Sequence, residues 1–154
     1  MVRLRLTGNN VEFIKMRHTL ESRLERARNL RKQGHTCSQC VVMVFDDVHN
    51  LPESIAASAS IGLGGGVGGM HQACGTVTGM AMVSGFSVQG NPAEKPRVYS
   101  GIKEMCAKFA DMNGSIVCGE LLADKASRKP CMQYIEDSIT ILHHYLERVG
   151  EVAE

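Results

Sequence analysis

The sequence predicts an all-α fold, a single-domain helical bundle of about five to six helices with a glycine-rich interhelical loop. Three observations carry this reading. Apolar residues recur at steps of three and four in at least four segments, the mark of a helix with one buried stripe. No convincing strand alternation stands against it; Val41 to Phe45 is a β-branched apolar run and is ambiguous by itself. The stretch from Ser54 to Ala93 has no Asp, Glu, Lys or Arg and holds most of the chain's 16 glycines, so backbones can pack closely around its centre. The 154 residues fit one domain, 1–154, and 44% hydrophobic content is enough for a core without disulfide staples.

The elements follow in chain order. Phe13, Met16, Leu20, Leu24, Ala27 and Leu30 line one stripe of an N-terminal helix over 10–33. Asn9 or Asn10 would cap its start and Gly34 would end it. A second helix opens after Thr36 as N-cap and carries Cys37, Cys40, Val41, Val44, Phe45 and Val48 on one face. Pro52 suits the first turn of a third helix, Glu53 to Ile61, because its missing N–H has no intrahelical partner there. The glycine loop comes next. A fourth helix runs from about Ala73 to Phe86, with Gly75 and Gly79 spaced for close helix contact. A fifth, with Val98, Ile102, Met105, Cys106 and Phe109 inward, ends at Asn113-Gly114. A short segment then carries Cys118 to Leu122. Ser127 would cap the last helix, on which Cys131, Tyr134, Ile135, Ser138, Leu142, Tyr145 and Val149 share a face.

Composition excludes several classes. The formal net charge of +1 selects no polyanionic partner, and no basic–aromatic alternation points to nucleic acid. Arginine and lysine concentrate in the first 35 residues, read as the solvated face of one helix. The uncharged stretch is broken by Gly64-Gly65-Gly66 and Gly68-Gly69 and is too interrupted for a membrane helix. No apolar segment follows Arg3 and Arg5 as a secretory signal would require, so a soluble, cytoplasmic chain is expected. The acidic pairs Asp46-Asp47 and Glu136-Asp137 read as solvated helix faces. His143-His144 reads as an exposed pair near a helix C-terminus.

Sulfur is the one concentrated reactive chemistry. Six cysteines without a secretory signal are expected as thiols, metal ligands or redox groups. Gly64, Gly66 and Gly69 fit G-x-G-x-x-G, but the dinucleotide fingerprint needs a preceding strand, and no G-K-[ST] follows. Cys37-Ser38-Gln39-Cys40 is a C-x-x-C without the histidine of a haem attachment site. Cys37 in a helix's first turn is placed where the dipole favours a thiolate, whereas Cys40 lies deeper and reads as packing. The spacing of Cys106, Cys118 and Cys131 lacks the second close pair of a zinc ribbon. His71, one turn before Cys74, reads as structural, with a ligand role left open. No hydrolytic or kinase apparatus is present.

Taken in order, Cys37-Ser38-Gln39, Gly64-Gly65-Gly66-Val67-Gly68, Cys74-Gly75-Thr76-Val77-Thr78-Gly79, Cys118-Gly119-Glu120-Leu121-Leu122 and Cys131 resemble the C_GCAxxG_C_C family of redox-active proteins. The resemblance covers roughly Glu21 to Leu146. The family's four cysteines fall on Cys37, Cys74, Cys118 and Cys131; Cys40 and Cys106 are additions, and Thr76 stands where the family usually has alanine. The resemblance implies redox activity or an iron–sulfur centre, with those four as ligands, or as the redox thiols if the protein cycles a disulfide. A related domain accompanies haem in split-Soret-type cytochromes, and this chain lacks C-x-x-C-H. Backbone at Gly66, Gly68 and Gly75 would then approach the sulfurs. The alternatives left open are a cofactor-free thiol/disulfide protein and a zinc-stabilised structural or interaction module. The redox partner is not identified by sequence; neither nucleic acid nor membrane is expected, and a homo-oligomer is left open.

Overall fold

The computed structural model describes residues 2–7 and 10–151, with side chains over 16–150. Its body is helical: α1 (Leu20–Lys32), α2 (Cys37–Met43), α3 (Asp46–His49), α4 (Glu53–Ser60), α5 (Gly75–Phe86), α6 (Lys95–Asn113), α7 (Cys118–Ala123) and α8 (Cys131–Glu151). Eight helices among the described residues exceed the five to six expected. The second predicted helix divides into α2 and α3, and the Cys118 segment forms a helix of its own.

The N-terminal helix over 10–33 is corrected at its first half. Strands Val2–Thr7 and Asn10–Lys15 pair antiparallel, with Val2 opposite Lys15 and Thr7 opposite Asn10. Asn9, offered as a cap, lies outside the described residues. The hairpin runs against α8. Its first strand alternates Val2, Leu4 and Leu6 with Arg3 and Arg5, the period of a strand rather than a helix. The real cap of α1 is Thr19, whose side chain accepts from the Ser22 backbone N–H at 3.1 Å.

The core joins α1, α2, α5, α6 and α8 around Val41, Val42, Phe45, Met80, Phe109, Ile135 and Leu142. Gly79 lets α2 and α5 meet, for a Cβ there would stand 3.1 Å from the Val41 side chain. Between α4 and α5, residues 65 to 69 all have positive φ, Val67 (63°) included. A β-branched residue there is a true outlier, and the glycines around it make the left-handed run affordable. Long backbone bonds close it: His71 N–H to Gly65 O at 3.0 Å and Gln72 N–H to Gly66 O at 2.9 Å.

Several residues read as solvated are internal. Asp47, Asp137 and His143 are buried. Arg23 explains two of them. Its guanidinium is 1% exposed and bonds Asp47 through both terminal nitrogens at 2.8 Å, while its Nε donates to His143 Nδ1 at 3.2 Å. Asp137 accepts from Gln133 Nε2 at 3.0 Å. Ser127 does not cap α8; its hydroxyl donates to Asp124 at 2.7 Å. No helix among the described residues is long and apolar enough to cross a membrane.

Two buried histidines give the fold a pH dependence. His49 Nδ1 accepts from the Leu51 N–H at 3.0 Å, so its proton sits on Nε2, facing Val42 O at 3.0 Å. His143 Nδ1 accepts from Arg23, which leaves Nε2–H facing Glu147 at 3.1 Å. A second proton would set N–H against N–H in both. Burial lowers both pKa values below the usual 6.5, and Arg23 lowers His143 further. The unfolded chain therefore takes up these protons first. Stability is full above about pH 6.5 and falls as pH drops below it, by at most about 1.4 kcal/mol per pH unit for each histidine. Urea midpoints should decrease between pH 7.5 and 5.0, whereas Asp46 and Asp47, held below the usual carboxylate range by their arginines despite burial, act only at lower pH. Midpoints unchanged over that interval would contradict the assignment.

Candidate thiol-lined site

Each of four cysteines opens a helix. Thr36 caps α2 with a reciprocal pair: its hydroxyl accepts from Gln39 N–H at 3.2 Å, and Gln39 Oε1 accepts from Thr36 N–H at 2.9 Å. Gln39 Nε2 and Ser38 Oγ then donate to Ala57 O and Ser60 O, tying the start of α2 to the end of α4. Cys37 is the first residue of α2.

Cys74 is the N-cap of α5, and Cys118 is the first residue of α7. A short antiparallel bridge, Ala73 opposite Val117, holds these two starts together. Cys74 N–H donates to Ile116 O at 2.8 Å, and Cys118 N–H donates to Gln72 O at 2.7 Å. Cys131 begins α8. The loop before it is pinned by Tyr134, whose hydroxyl accepts from Lys129 N–H at 3.1 Å and donates to Leu121 O at 3.3 Å.

Cys37, Cys74, Cys118 and Cys131 line one cavity of about 220 Å³, walled also by Leu121 and Tyr134. Glycines shape it. A Cβ at Gly75 would stand 2.5 Å from Cys37 Sγ, and one at Gly66 would stand 2.8 Å from Cys118 Cβ. Gly68 is not brought to the sulfurs: it is exposed, and nothing lies within 4 Å of where its Cβ would be. His71 lies at the rim, exposed, with φ 57°. Cys40 is fully buried, and its thiol faces His35 O at 3.9 Å; Cys106 is half-buried against the core. Neither lines the cavity.

All six cysteines are free thiols. Burial pushes the Cys40 thiol up to about 11. Burial raises Cys74 as well, against a hydrogen bond from Thr76. Cys118 is raised by burial and then by the nearness of Cys74, Cys37 and Cys131, since gathered thiolates repel one another. A cation among them would reverse that repulsion, because it favours the ionised sulfur.

Among the described residues, the potential metal donors that meet within 4.8 Å are His18, Asp46 and Asp47; no three cysteine sulfurs come that close together. The first group is an ion-pair network. Its carboxylates are taken by Arg23, Arg26 and the Arg17 and His18 N–H groups.

Among the wall residues that the sequence does not assign to the site, Gly65 is one glycine among many, and Arg31 reads as part of a solvated basic face. Thr76 was visible only as a departure from alanine; its hydroxyl lies 3.1 Å from Cys74 Sγ.

A protein-family model described as "Putative redox-active protein (C_GCAxxG_C_C)" matches residues 35–145. No curated protein and no solved structure matches the chain.

Proposed function

The chain belongs to the C_GCAxxG_C_C redox-active family, and from that premise we propose that it is an electron-transfer protein holding an iron–sulfur cluster on Cys37, Cys74, Cys118 and Cys131. One observation carries the reading: four thiols from four separate helix starts line a single cavity. Four cysteine thiolates are the usual donor set for such clusters, which supply reversible uptake of one electron.

The surroundings fit that group. Leu121 and Tyr134 limit water at the sulfurs, and the bare backbone at Gly66 and Gly75 leaves room beside them. Spacing argues against a lone zinc ion. A Zn–S bond of about 2.3 Å places tetrahedral sulfurs roughly 3.8 Å apart, closer than any three of these come. The four thiols standing free also keep a disulfide cycle within the same redox reading.

Anaerobic purification followed by metal and sulfide analysis tests the proposal. The expected protein is brown, with iron and acid-labile sulfide in equal amounts, and loses both when Cys74 is replaced by serine. A colourless protein with stoichiometric zinc would overturn it. A colourless, metal-free protein whose thiols oxidise reversibly in pairs would replace the cluster with the disulfide cycle.

A further inference from the structure

We propose that the Thr76 hydroxyl is a positioning group that sets the reduction potential of the thiol-lined site by donating a hydrogen bond to Cys74 Sγ. The inference rests on the redox reading above and adds the residue that tunes it.

Thr76 is fully buried in the first turn of α5, two residues after Cys74, and its Oγ1 lies 3.1 Å from the sulfur. The direction of the bond follows from chemistry. A sulfur that ligates a metal has lost its proton and can only accept, so the hydroxyl must donate. This hydroxyl makes no other side-chain bond among the described residues, which leaves its proton available to the sulfur.

The energetic consequence has a definite sign. With the proposed cluster bound, one electron supplied by a redox partner, or by dithionite in the test below, would break no bond and would place part of its charge on Cys74 Sγ. A hydrogen bond to a more electron-rich sulfur is stronger. Thr76 thus stabilises the reduced state more than the oxidised state and raises the potential, as hydrogen bonds to ligand sulfurs do. An alanine here would leave Cys74 without this donor. Arg31 and His71 also line the cavity but are exposed, and the side-chain partner of this sulfur is Thr76.

The test compares Thr76→Val, which keeps the shape and removes the hydroxyl, with Thr76→Ser, which keeps the hydroxyl. The full chain is purified anaerobically, and the midpoint of its one-electron couple is measured by titration against mediators with dithionite as reductant. Thr76→Val should shift the oxidised-to-reduced equilibrium about tenfold towards oxidised, which for one electron is about 59 mV more negative. Thr76→Ser should stay near the wild type. If Thr76→Val loses the bound group, a Thr76→Ser protein with wild-type content and potential supports the hydroxyl's role. A serine variant that behaves like the valine variant overturns it in favour of simple packing. An unchanged midpoint in a loaded Thr76→Val protein also overturns it while leaving the redox reading intact. A wild-type protein with no couple at all overturns both.

Discussion

Arg23→Ala should cost about 3–5 kcal/mol of folding free energy, because it leaves a carboxylate buried without its partner. Both side chains of the Arg23–Asp47 pair have no exposed surface. Every N–H of the guanidinium is used. Nη1 reaches Val44 O and Asp47 Oδ1, Nη2 reaches Asp47 Oδ2 and Met16 Sδ, and Nε reaches His143. The Phe45 ring lies 4.2 Å from the guanidinium carbon. One side chain of α1 therefore joins the α2–α3 junction to α8. A marginally stable domain holds about 5–15 kcal/mol in total, so the loss takes a large part of it. Chemical denaturation followed by circular dichroism would read the effect. Arg23→Lys should also lose most of that contribution, since an ammonium cannot supply five donors in one plane. An apolar pair, Arg23→Met with Asp47→Leu, should recover much of it, because the charges then leave together. A cost below about 1 kcal/mol for Arg23→Ala would remove the pair from this role. None of these groups lines the thiol cavity, so a folded variant should keep the site's thiols in place.

The parts legible in the sequence are those fixed by local chemistry. The Thr36 cap follows from threonine and Gln39 at the spacing of a reciprocal cap. The α2–α5 contact follows from Gly79, and Gly114 ends α6 in the left-handed conformation that glycine adopts readily. The four cysteines that line the cavity are those that the family resemblance implies. What was not legible depends on distant partners. Asp47 and His143 resemble surface residues until Arg23, 24 and 120 positions away, is found between them. The N-terminal hairpin was masked because Phe13 and Met16 extend the helical stripe of α1 backwards by accident of spacing. Its own alternation, Val2-Leu4-Leu6, lies in a segment whose arginines and missing signal sequence drew the reading instead. The glycine loop was recognised as a turn, but the sign of φ at five successive residues is not a property of composition.

Gly66→Ala should disrupt that loop more than any neighbouring glycine replacement, costing about 3 kcal/mol or more. Two effects add. Gly66 has φ +71°, which an alanine tolerates poorly, and a Cβ there would lie 2.6 Å from Gln72 N and 2.8 Å from both His71 C and Cys118 Cβ. The first two contacts are backbone and cannot rotate away. The strand-like bridge after the loop carries the strain onward, since Gln72 O accepts from Cys118 N–H and His71 O accepts from Gly119 N–H. Displacing His71 and Gln72 therefore moves the start of α7, and with it the Cys118 sulfur. Gly68→Ala separates the two causes. Its φ is +58°, but no atom lies within 4 Å of the added carbon, so it should cost only the conformational strain, about 1–2 kcal/mol. Gly66→Ala should lose stability and, on the proposed cluster reading, iron content under anaerobic purification, whereas Gly68→Ala should lose some stability and keep whatever iron the wild type holds. Equal costs at the two positions would mean that the loop yields freely at Gly66 and that close approach to Cys118 does not shape the site.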